Sequence, residues 1–429
     1  MTEVVHQTAD DGRDEFIPVR KSDIVEALVE HGAFVSDAER ELFRQFCQVL
    51  GSIFHYEYFA VLEQLRNDYY YFNPEIAPHT AMDRDVIERS YADLIRTLDR
   101  VLKEANFIEL PHHEIGAAHR RRTLLRVEVK APLDDFREVR FYRRGRHFEP
   151  FEVGGWLGLR RRTVEAEVYD DVVLLAATRP HAEIASKRQL RALTRRKMEP
   201  GSVLLKCFRN IASSDLNALF PNARVVMSNL DMLVLGVPAL FGGIPILLNL
   251  YATITVLFLV LGFYLGLTGS VGDKDMKTAL AALSGLVALG SFIMRQWLKF
   301  QRQSFKYQVE LTENVYYRNI NNNAGIFDYV VGAAEERECK EAFLAYHFLR
   351  ASPAPTATEL EARVEAWLRT AFGADLDFEV GDALAKLERL GLLKPEGERL
   401  FVPPLDEALA QLHRVWDGFF PAAEQEVAR

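Results

Sequence analysis

The feature that most constrains the fold is a long uncharged segment in the second half of the chain. No Asp, Glu, Lys or Arg occurs over residues 232–267. One straight helix of that length would measure roughly 50 Å, whereas the hydrocarbon core of a bilayer is about 30 Å thick. Proline and glycine residues before position 245 weaken a helix, so we predict a first membrane span near 245–267. Residues 232–244 are then either an interfacial segment or an apolar strand.

A second uncharged run indicates that the segment returns across the membrane. A polar turn follows residue 267, and residues 278–294 are again uncharged before Arg295. The small residues at helical spacing in the two runs are Gly262, Gly266, Ala281, Gly285 and Ala288. Such residues let helix backbones approach closely, so we predict that they pack the two spans together. The alternative is that they reflect only the usual composition of membrane helices.

Basic residues set the predicted orientation of this hairpin. Arg295, Lys299 and Arg302 follow the second run closely, and the turn between the runs mixes acidic and basic side chains. Basic residues concentrate on the cytoplasmic side of membrane proteins, so we predict an integral, multi-pass protein with both termini in the cytoplasm. The same three side chains are expected to contact anionic lipid headgroups.

Composition limits the classes of partner. The 429 residues carry a net charge of −9, which argues against a broad nucleic-acid surface. The three cysteines, Cys47, Cys207 and Cys339, lack the spacing of a zinc site or a disulfide framework. We therefore predict buried thiols in a reducing compartment, with no cofactor, no metal and no catalytic residue assigned.

The first half of the chain is predicted to combine helices with a small sheet. In residues 1–115, Ser36 followed by Glu39 forms a capping box that opens a long amphipathic helix. In residues 116–231, apolar and polar residues alternate as in half-buried strands, and Val172–Ala177 is apolar enough for a central strand. Histidines and a glutamate lie close together at His112, His113, Glu114 and His119. These residues are predicted to form a polar turn, with a metal site as the alternative.

The last region, residues 301–429, is predicted to be helical and similar to a winged helix. A helix over 333–349 is rich in acid, which indicates a solvated face rather than a metal site. Thr358 with Glu361 suggests the next helix start, and a third helix and a hairpin follow. Basic residues on that third helix are balanced by acidic ones, which favours contact with protein over DNA. With the membrane region at 232–300, the predicted fold class is an α+β membrane protein.

Several segments carry a resemblance to a known family. They are Phe16–Val19, Tyr142–Gly145, Leu205–Ile211 with Asp215–Leu216, Leu219–Pro221, Met227–Ser228 and Leu230–Asp231, Ala334–Glu336, Lys340–Tyr346 and Asp382–Leu392. In these segments the chain resembles the transmembrane protein 143 family, also called domain of unknown function 3754. The resemblance implies a membrane location and a double span, and it implies no established reaction. Ala212 departs from the proline expected there.

Three classes of function follow from this sequence. The leading hypothesis is a membrane-anchored binding or regulatory scaffold whose cytoplasmic head recognises a partner protein or lipid. The first alternative is an oligomeric transport or channel component, and the second is a membrane-tethered hydrolase. Against the hydrolase, the sequence contains no GxSxG, P-loop, HExxH or dinucleotide-binding motif. The predicted partners are the lipid bilayer, a cytoplasmic protein and further copies of the chain packed through the spans, without nucleic acid.

Overall fold

A computed structural model describes most of the chain outside the region of residues 227–315. The described residues are 13–31, 34–76, 84–111, 128–130, 133–154, 161–184, 186–195, 198–226, 258, 261–262, 265–266, 277, 284, 287, 290–299, 301–302, 305, 309, 316–353, 356–396 and 399–420. They form an α+β fold in which helices cover both faces of one antiparallel sheet and extend beyond it.

The sheet is built around one long strand. Its strands are β1 (Ile108–Glu109), β3 (Phe136–Arg144), β4 (His147–Gly154), β5 (Arg161–Thr178), β6 (Val203–Ala212) and β8 (Asn319–Asn322). The order is β1-β3-β5-β6-β8, and β4 pairs with the first half of β5. The second half of β5 lies between β3 and β6, so its side chains are buried on both faces. The predicted central strand is therefore present.

One short strand pair and two small helical elements complete the β-rich half. Strand β2 (Glu128–Lys130) pairs with β7 (Arg224–Val226), antiparallel. Helix α4 (Lys187–Arg195) and a 3₁₀ helix (Ser213–Leu219) lie beside the main sheet. Leu193 and Leu216 from these two elements are buried in the core on that side, which covers one sheet face.

Three helices precede the sheet. They are α1 (Lys21–Glu30), α2 (Asp37–Tyr69) and α3 (Arg84–Glu104). The predicted N-cap is present, because Ser36 Oγ accepts from Glu39 N at 3.2 Å; Glu39 Oε2 accepts from Val35 N, one residue before the cap, at 2.7 Å. At the end of α2, Tyr69 is buried and its hydroxyl donates to Val203 O at 2.8 Å. This aromatic end therefore packs α2 against the sheet.

Four helices and a hairpin follow the sheet. They are α5 (Gly325–Ala351), α6 (Ala357–Phe372), α7 (Val380–Arg389), the hairpin β9 (Lys394–Glu396) and β10 (Arg399–Phe401), and α8 (Leu405–Phe419). Gly391 adopts a left-handed φ of 71° just after α7, which ends that helix. The predicted order of three helices and a hairpin is present. Helix α7 packs against α5.

The two long helices α2 and α5 join the cores. The first half of α2 and the second half of α5 share a helical core with α1, α6, α7 and α8. The other halves pack with α3 against one face of the sheet, where Val173, Leu175 and Ala177 of β5 point. The alternate residues Val172, Leu174 and Ala176 face α4 and the 3₁₀ helix. The four-region division predicted from sequence stays a prediction.

The membrane part of the predicted fold is corrected. Among the residues that the structure describes, no helix is long and apolar enough to cross a bilayer. The predicted helix end before Arg295 is displaced, because helical conformation runs through residues 290–299 with Arg295 and Lys299 inside it. Most of the predicted spans 245–267 and 278–294 lie outside the described residues. The transmembrane hairpin, the integral multi-pass location with cytoplasmic termini and the membrane anchoring of a cytoplasmic head are therefore not supported.

Candidate functional site

A cavity of about 650 Å³ lies where the N-terminal segment, the end of α3, the sheet and α5 meet. Its walls bring together parts of the chain that are far apart in sequence. The charged residues that line it are Arg20, Arg144, Asp170, Asp171, Arg209, Asp328, Glu336, Arg337 and Lys340. A cavity of this volume is of the size that holds small-molecule ligands in proteins.

A row of three charged residues crosses the sheet at this wall. Arg144 of β3 and Arg209 of β6 are the direct neighbours of Asp171 on the central strand β5. The guanidinium of Arg144 donates through Nε and Nη2 to Asp171 Oδ2, at 3.1 and 2.6 Å. Arg209 Nε lies 3.4 Å from the other carboxylate oxygen. Two cations thus share one anion, which leaves this part of the wall positively charged.

Aromatic residues hold these guanidinium groups in place. The Tyr329 hydroxyl of α5 accepts from Arg144 Nη2 at 2.9 Å and from Arg209 Nη2 at 3.2 Å. The Arg144 guanidinium also lies 4.6 Å from the ring of Phe16 and 4.7 Å from that of Phe107. The hydrogen bond between Arg209 and Tyr329 raises the pKa of Arg209, which stays charged. The positive charge is therefore positioned before any ligand arrives.

A buried lysine lies on the helix side of the cavity. Lys340 Nζ donates to the carbonyl oxygen of Ile17 at 3.1 Å and lies 3.0 Å from Glu336 Oε1. Burial lowers the pKa of Lys340, and the neighbouring Glu336 opposes that shift. The ammonium thereby connects α5 to the N-terminal segment that closes one side of the cavity.

The end of α3 contributes an amide to the cavity wall. Asn106 has a left-handed φ of 60°, and Phe107 N donates to Leu102 O at 2.8 Å, as in a helix-ending Schellman turn. The Asn106 side chain is buried, and its Oδ1 has no hydrogen-bond partner among the described residues. Most buried polar atoms in proteins are paired, so this amide is an exception at the cavity wall.

Two of the five residues predicted for helix packing, Gly262 and Gly266, are described by the structure. Gly262 is helical. Gly266 adopts a φ of 74° in a turn, and a Cβ at this position would meet no atom of the described residues within 4 Å. Ala281, Gly285 and Ala288 lie outside the described residues. Neither Gly262 nor Gly266 lines the cavity described above. Their packing against one another stays a prediction.

The residues predicted to meet lipid headgroups are also away from the cavity. Arg295, Lys299 and Arg302 are helical and exposed. Their contact with anionic headgroups stays a prediction. The possible ligand group at His112, His113, Glu114 and His119 lies outside the described residues.

The acid-rich helix does not present the solvated face predicted from sequence. Glu338 and Glu341 of α5 are buried. Lys386 Nζ of α7 lies 3.0 Å from Glu338 Oε1 and also contacts Glu341, while Arg337 Nε lies 2.6 Å from Glu341 Oε1. The group Glu341, Glu379 and Asp382 has the spacing of metal ligands, but Arg337 and Lys386 already supply its positive charge. The arrangement is therefore an internal ion-pair network.

A second acidic group is also matched by a basic residue. Glu361, Glu365 and Asp377 lie close enough to share an ion. Arg13 Nη1 donates to Glu365 Oε2 at 2.9 Å. This group thus ties the N-terminal segment to α6, which accounts for its position without a metal.

A second cavity of about 750 Å³ lies between α1, α2, α5 and α8. Glu335 accepts from Lys21 Nζ at 3.1 Å and lies 2.8 Å from His55 Nδ1 at its rim. Phe343 lines its apolar side, and Phe59 is 53% exposed beside it. This apolar surface is compatible with the protein partner predicted from sequence, which stays a prediction.

The sequence signal that leads to the first cavity was the set of motifs rather than any single residue type. Phe16–Val19, Arg144, Arg209, Glu336 and Lys340 belong to segments quoted above for the family resemblance, and all of them line this cavity. Spacing alone did not single out Arg144 or Arg209, because each lies within a strand among other charged or polar residues. Only the strand register brings them to Asp171.

Comparison with known proteins gives a partial family match. Residues 169–325 match the model of a family described as "Protein of unknown function (DUF3754)". The matched range includes Asp171 and Arg209. No solved structure matches the chain. The chain therefore contains a domain of unknown function over these residues, and its resemblance to the transmembrane protein 143 family is not confirmed.

Proposed function

We propose that the chain is a binding protein that recognises a small anionic molecule in the first cavity. The observation that carries the proposal is the row Arg144, Asp171 and Arg209, in which two guanidinium groups share one carboxylate and one tyrosine hydroxyl. Guanidinium groups recognise carboxylate and phosphate through paired hydrogen bonds. A regulatory role through that ligand fits the absence of a recognised catalytic motif in the sequence.

The charge balance of the cavity supports an anionic ligand. Its acidic side chains already have basic neighbours: Asp170 lies 2.8 Å from His147 Nδ1, and Asp328 lies 2.8 Å from Arg66 Nη2. In contrast, Arg209 is half exposed and shares its carboxylate with Arg144. The positive charge of Arg209 therefore remains available to bind a ligand.

The same groups favour binding over acid–base chemistry. Burial raises the pKa of Tyr329 to about 12, so its hydroxyl keeps its proton at neutral pH. Arginine guanidinium groups are not deprotonated in proteins. A general acid or base works best with a pKa near the operating pH. The tyrosine and the arginine are thus suited to holding a ligand rather than transferring protons.

A titration of the full chain with inorganic phosphate and propyl phosphate tests the proposal. We expect saturable heats in isothermal titration calorimetry, and an affinity that falls as salt is added because the contact is between charges. Arg209→Gln should weaken binding about tenfold or more, which corresponds to about 1.4 kcal/mol.

Arg369→Gln is the matched control for that titration. Arg369 is 54% exposed like Arg209 and also pairs with an aspartate, but it lies on α6 away from the cavity. The control should bind as the wild type does. Absence of saturable binding by either phosphate, or an equal loss in both variants, would overturn the proposal.

A further inference from the structure

We infer that the ligand of the first cavity carries a hydroxyl group beside its anionic group, as a polyol phosphate does. This inference rests on the proposed function and narrows its ligand class. It comes from Asn106, a residue that neither the charged row nor the folding of the sheet requires.

The turn at the end of α3 does not explain why this residue is asparagine. Asn106 N donates to Lys103 O at 3.0 Å and Phe107 N to Leu102 O at 2.8 Å, so the backbone alone completes the helix end. A left-handed φ of 60° is most easily adopted by glycine. A glycine would therefore form this turn equally well without the side-chain amide.

The amide oxygen of Asn106 is buried without a partner among the described residues. Asn106 is only 6% exposed, and its Oδ1 has no hydrogen bond among the described residues. A buried amide without hydrogen bonds destabilises a fold, because it has lost its bonds to water. Two other asparagines in the described part of the chain are left-handed: Asn210 is exposed, and Asn323 bonds through its Nδ2 to Glu75 at 2.6 Å. Asn106 thus differs from a comparable residue that serves the fold alone.

The amide and the guanidinium groups belong to one wall. Phe107, the residue after Asn106, contacts the Arg144 guanidinium at 4.7 Å from its ring centre. Arg337 of the same cavity donates from Nη1 to Glu104 O at 3.1 Å, just before Asn106. When the anionic group of a ligand binds the arginines, the rest of that ligand therefore lies beside the Asn106 amide.

A hydroxyl group is the substituent that fits either orientation of the amide. Rotation about the last side chain bond exchanges the oxygen and nitrogen of Asn106. A hydroxyl can donate to the oxygen or accept from the nitrogen, whereas an alkyl group can do neither. A ligand with an anionic group alone would leave the amide unpaired in the complex as well.

Glycerol 3-phosphate and propyl phosphate form the test pair, because they share the phosphate and the carbon chain but differ in hydroxyl groups. By calorimetry we expect the wild-type chain to bind glycerol 3-phosphate about five- to tenfold more tightly. Asn106→Gly keeps the left-handed turn and removes the amide. In this variant the two phosphates should bind equally, and propyl phosphate should bind as it does to the wild type.

Asn323→Gly serves as the matched control, since it removes a left-handed asparagine that does not line the cavity. It should keep the wild-type preference for glycerol 3-phosphate. Equal binding of the two phosphates by the wild type, or a preference that survives Asn106→Gly, would overturn the inference while leaving the proposed function in place. Failure of both phosphates to bind would overturn the proposed function and this inference together.

Discussion

Replacement of Lys386 by methionine should destabilise the chain strongly at neutral pH. The side chain of Lys386 is 6% exposed, and its ammonium contacts three carboxylates, from Glu338 at 3.0 Å, Asp382 at 2.9 Å and Glu341. Burial lowers the pKa of Lys386, but these carboxylates outweigh it and hold the pKa above its usual value. The ammonium is therefore charged at neutral pH, and methionine would remove that charge while preserving most of the volume.

The expected loss follows from the charges that remain. Without Lys386, only Arg337 faces Glu338, Glu341, Glu379 and Asp382 among the residues of this network. Removal of one partner from a buried ion pair typically costs about 3–5 kcal/mol, because it leaves uncompensated charge in the interior. We expect Lys386→Met to reduce the free energy of unfolding by at least about 3 kcal/mol at pH 8.

The loss should be smaller at pH 5. Burial already raises the pKa of Glu338 above its usual value, and Lys386 opposes this rise. The unfolded chain therefore releases this proton at lower pH than the folded chain does, so Glu338 costs stability as pH rises through its folded pKa. Without Lys386 that pKa rises further, and each unit corresponds to about 1.4 kcal/mol. Protonation near pH 5 should recover about 1 kcal/mol or more.

Urea unfolding followed by tryptophan fluorescence measures this effect, since Trp367 and Trp416 pack against the helical core that contains α7. Lys394→Met is the matched control, because Lys394 is 61% exposed and lies 3.7 Å from Glu407. It should change stability by less than about 0.5 kcal/mol at either pH. A loss below about 1 kcal/mol for Lys386→Met, or a loss that grows on acidification, would refute the reasoning.

Two further predictions concern backbone strain and thiol chemistry. Gly145 has a φ of 66°, and a Cβ there would overlap the Asp170 carboxylate, so Gly145→Ala should lower the free energy of unfolding by about 2 kcal/mol or more. In Gly332→Ala the added Cβ meets open space in α5, so this variant should raise the free energy of unfolding by up to about 1 kcal/mol. If urea unfolding showed a change of the same sign for the two variants, the prediction would be contradicted. Burial raises the pKa of Cys207 and Cys339 to about 12, so alkylation at pH 8 should require denaturant. Rapid labelling of the native chain, detected by mass spectrometry, would contradict it.

Local sequence patterns predicted the helices well but left one start ambiguous. The helix start predicted at Ser36 was correct. The box expected at Thr358 lies two residues earlier, where Thr356 accepts from Glu359 N at 3.2 Å. Both threonines have a glutamate three residues later, so the motif alone cannot choose between them. Burial of Leu360 and its helical successors in the core selects the earlier start.

The long strand β5 shows why the site was missed. The sequence predicted a central strand at Val172–Ala177 and, before it, residues that alternate as in half-buried strands. In the structure the strand continues, since Asp171 is buried opposite Arg144 on β3 and Arg209 on β6. A charged residue within a central strand is unfavourable unless charges on the neighbouring strands match it. The sequence does not show which strands are neighbours, so it could not show the match or the site.

Helix α5 makes the same point about charge. Four of its glutamates lie within seven residues, a density that normally indicates a face toward water. Here each finds a cation instead: Glu335 pairs with Lys21, Glu336 with Lys340, and Glu338 and Glu341 with Lys386. Side chains that are close in sequence point to different sides of a helix, so these glutamates reach α1, the first cavity and α7. The acidic helix is therefore an internal connector, whose charge holds the cavity wall and the C-terminal helices to one element.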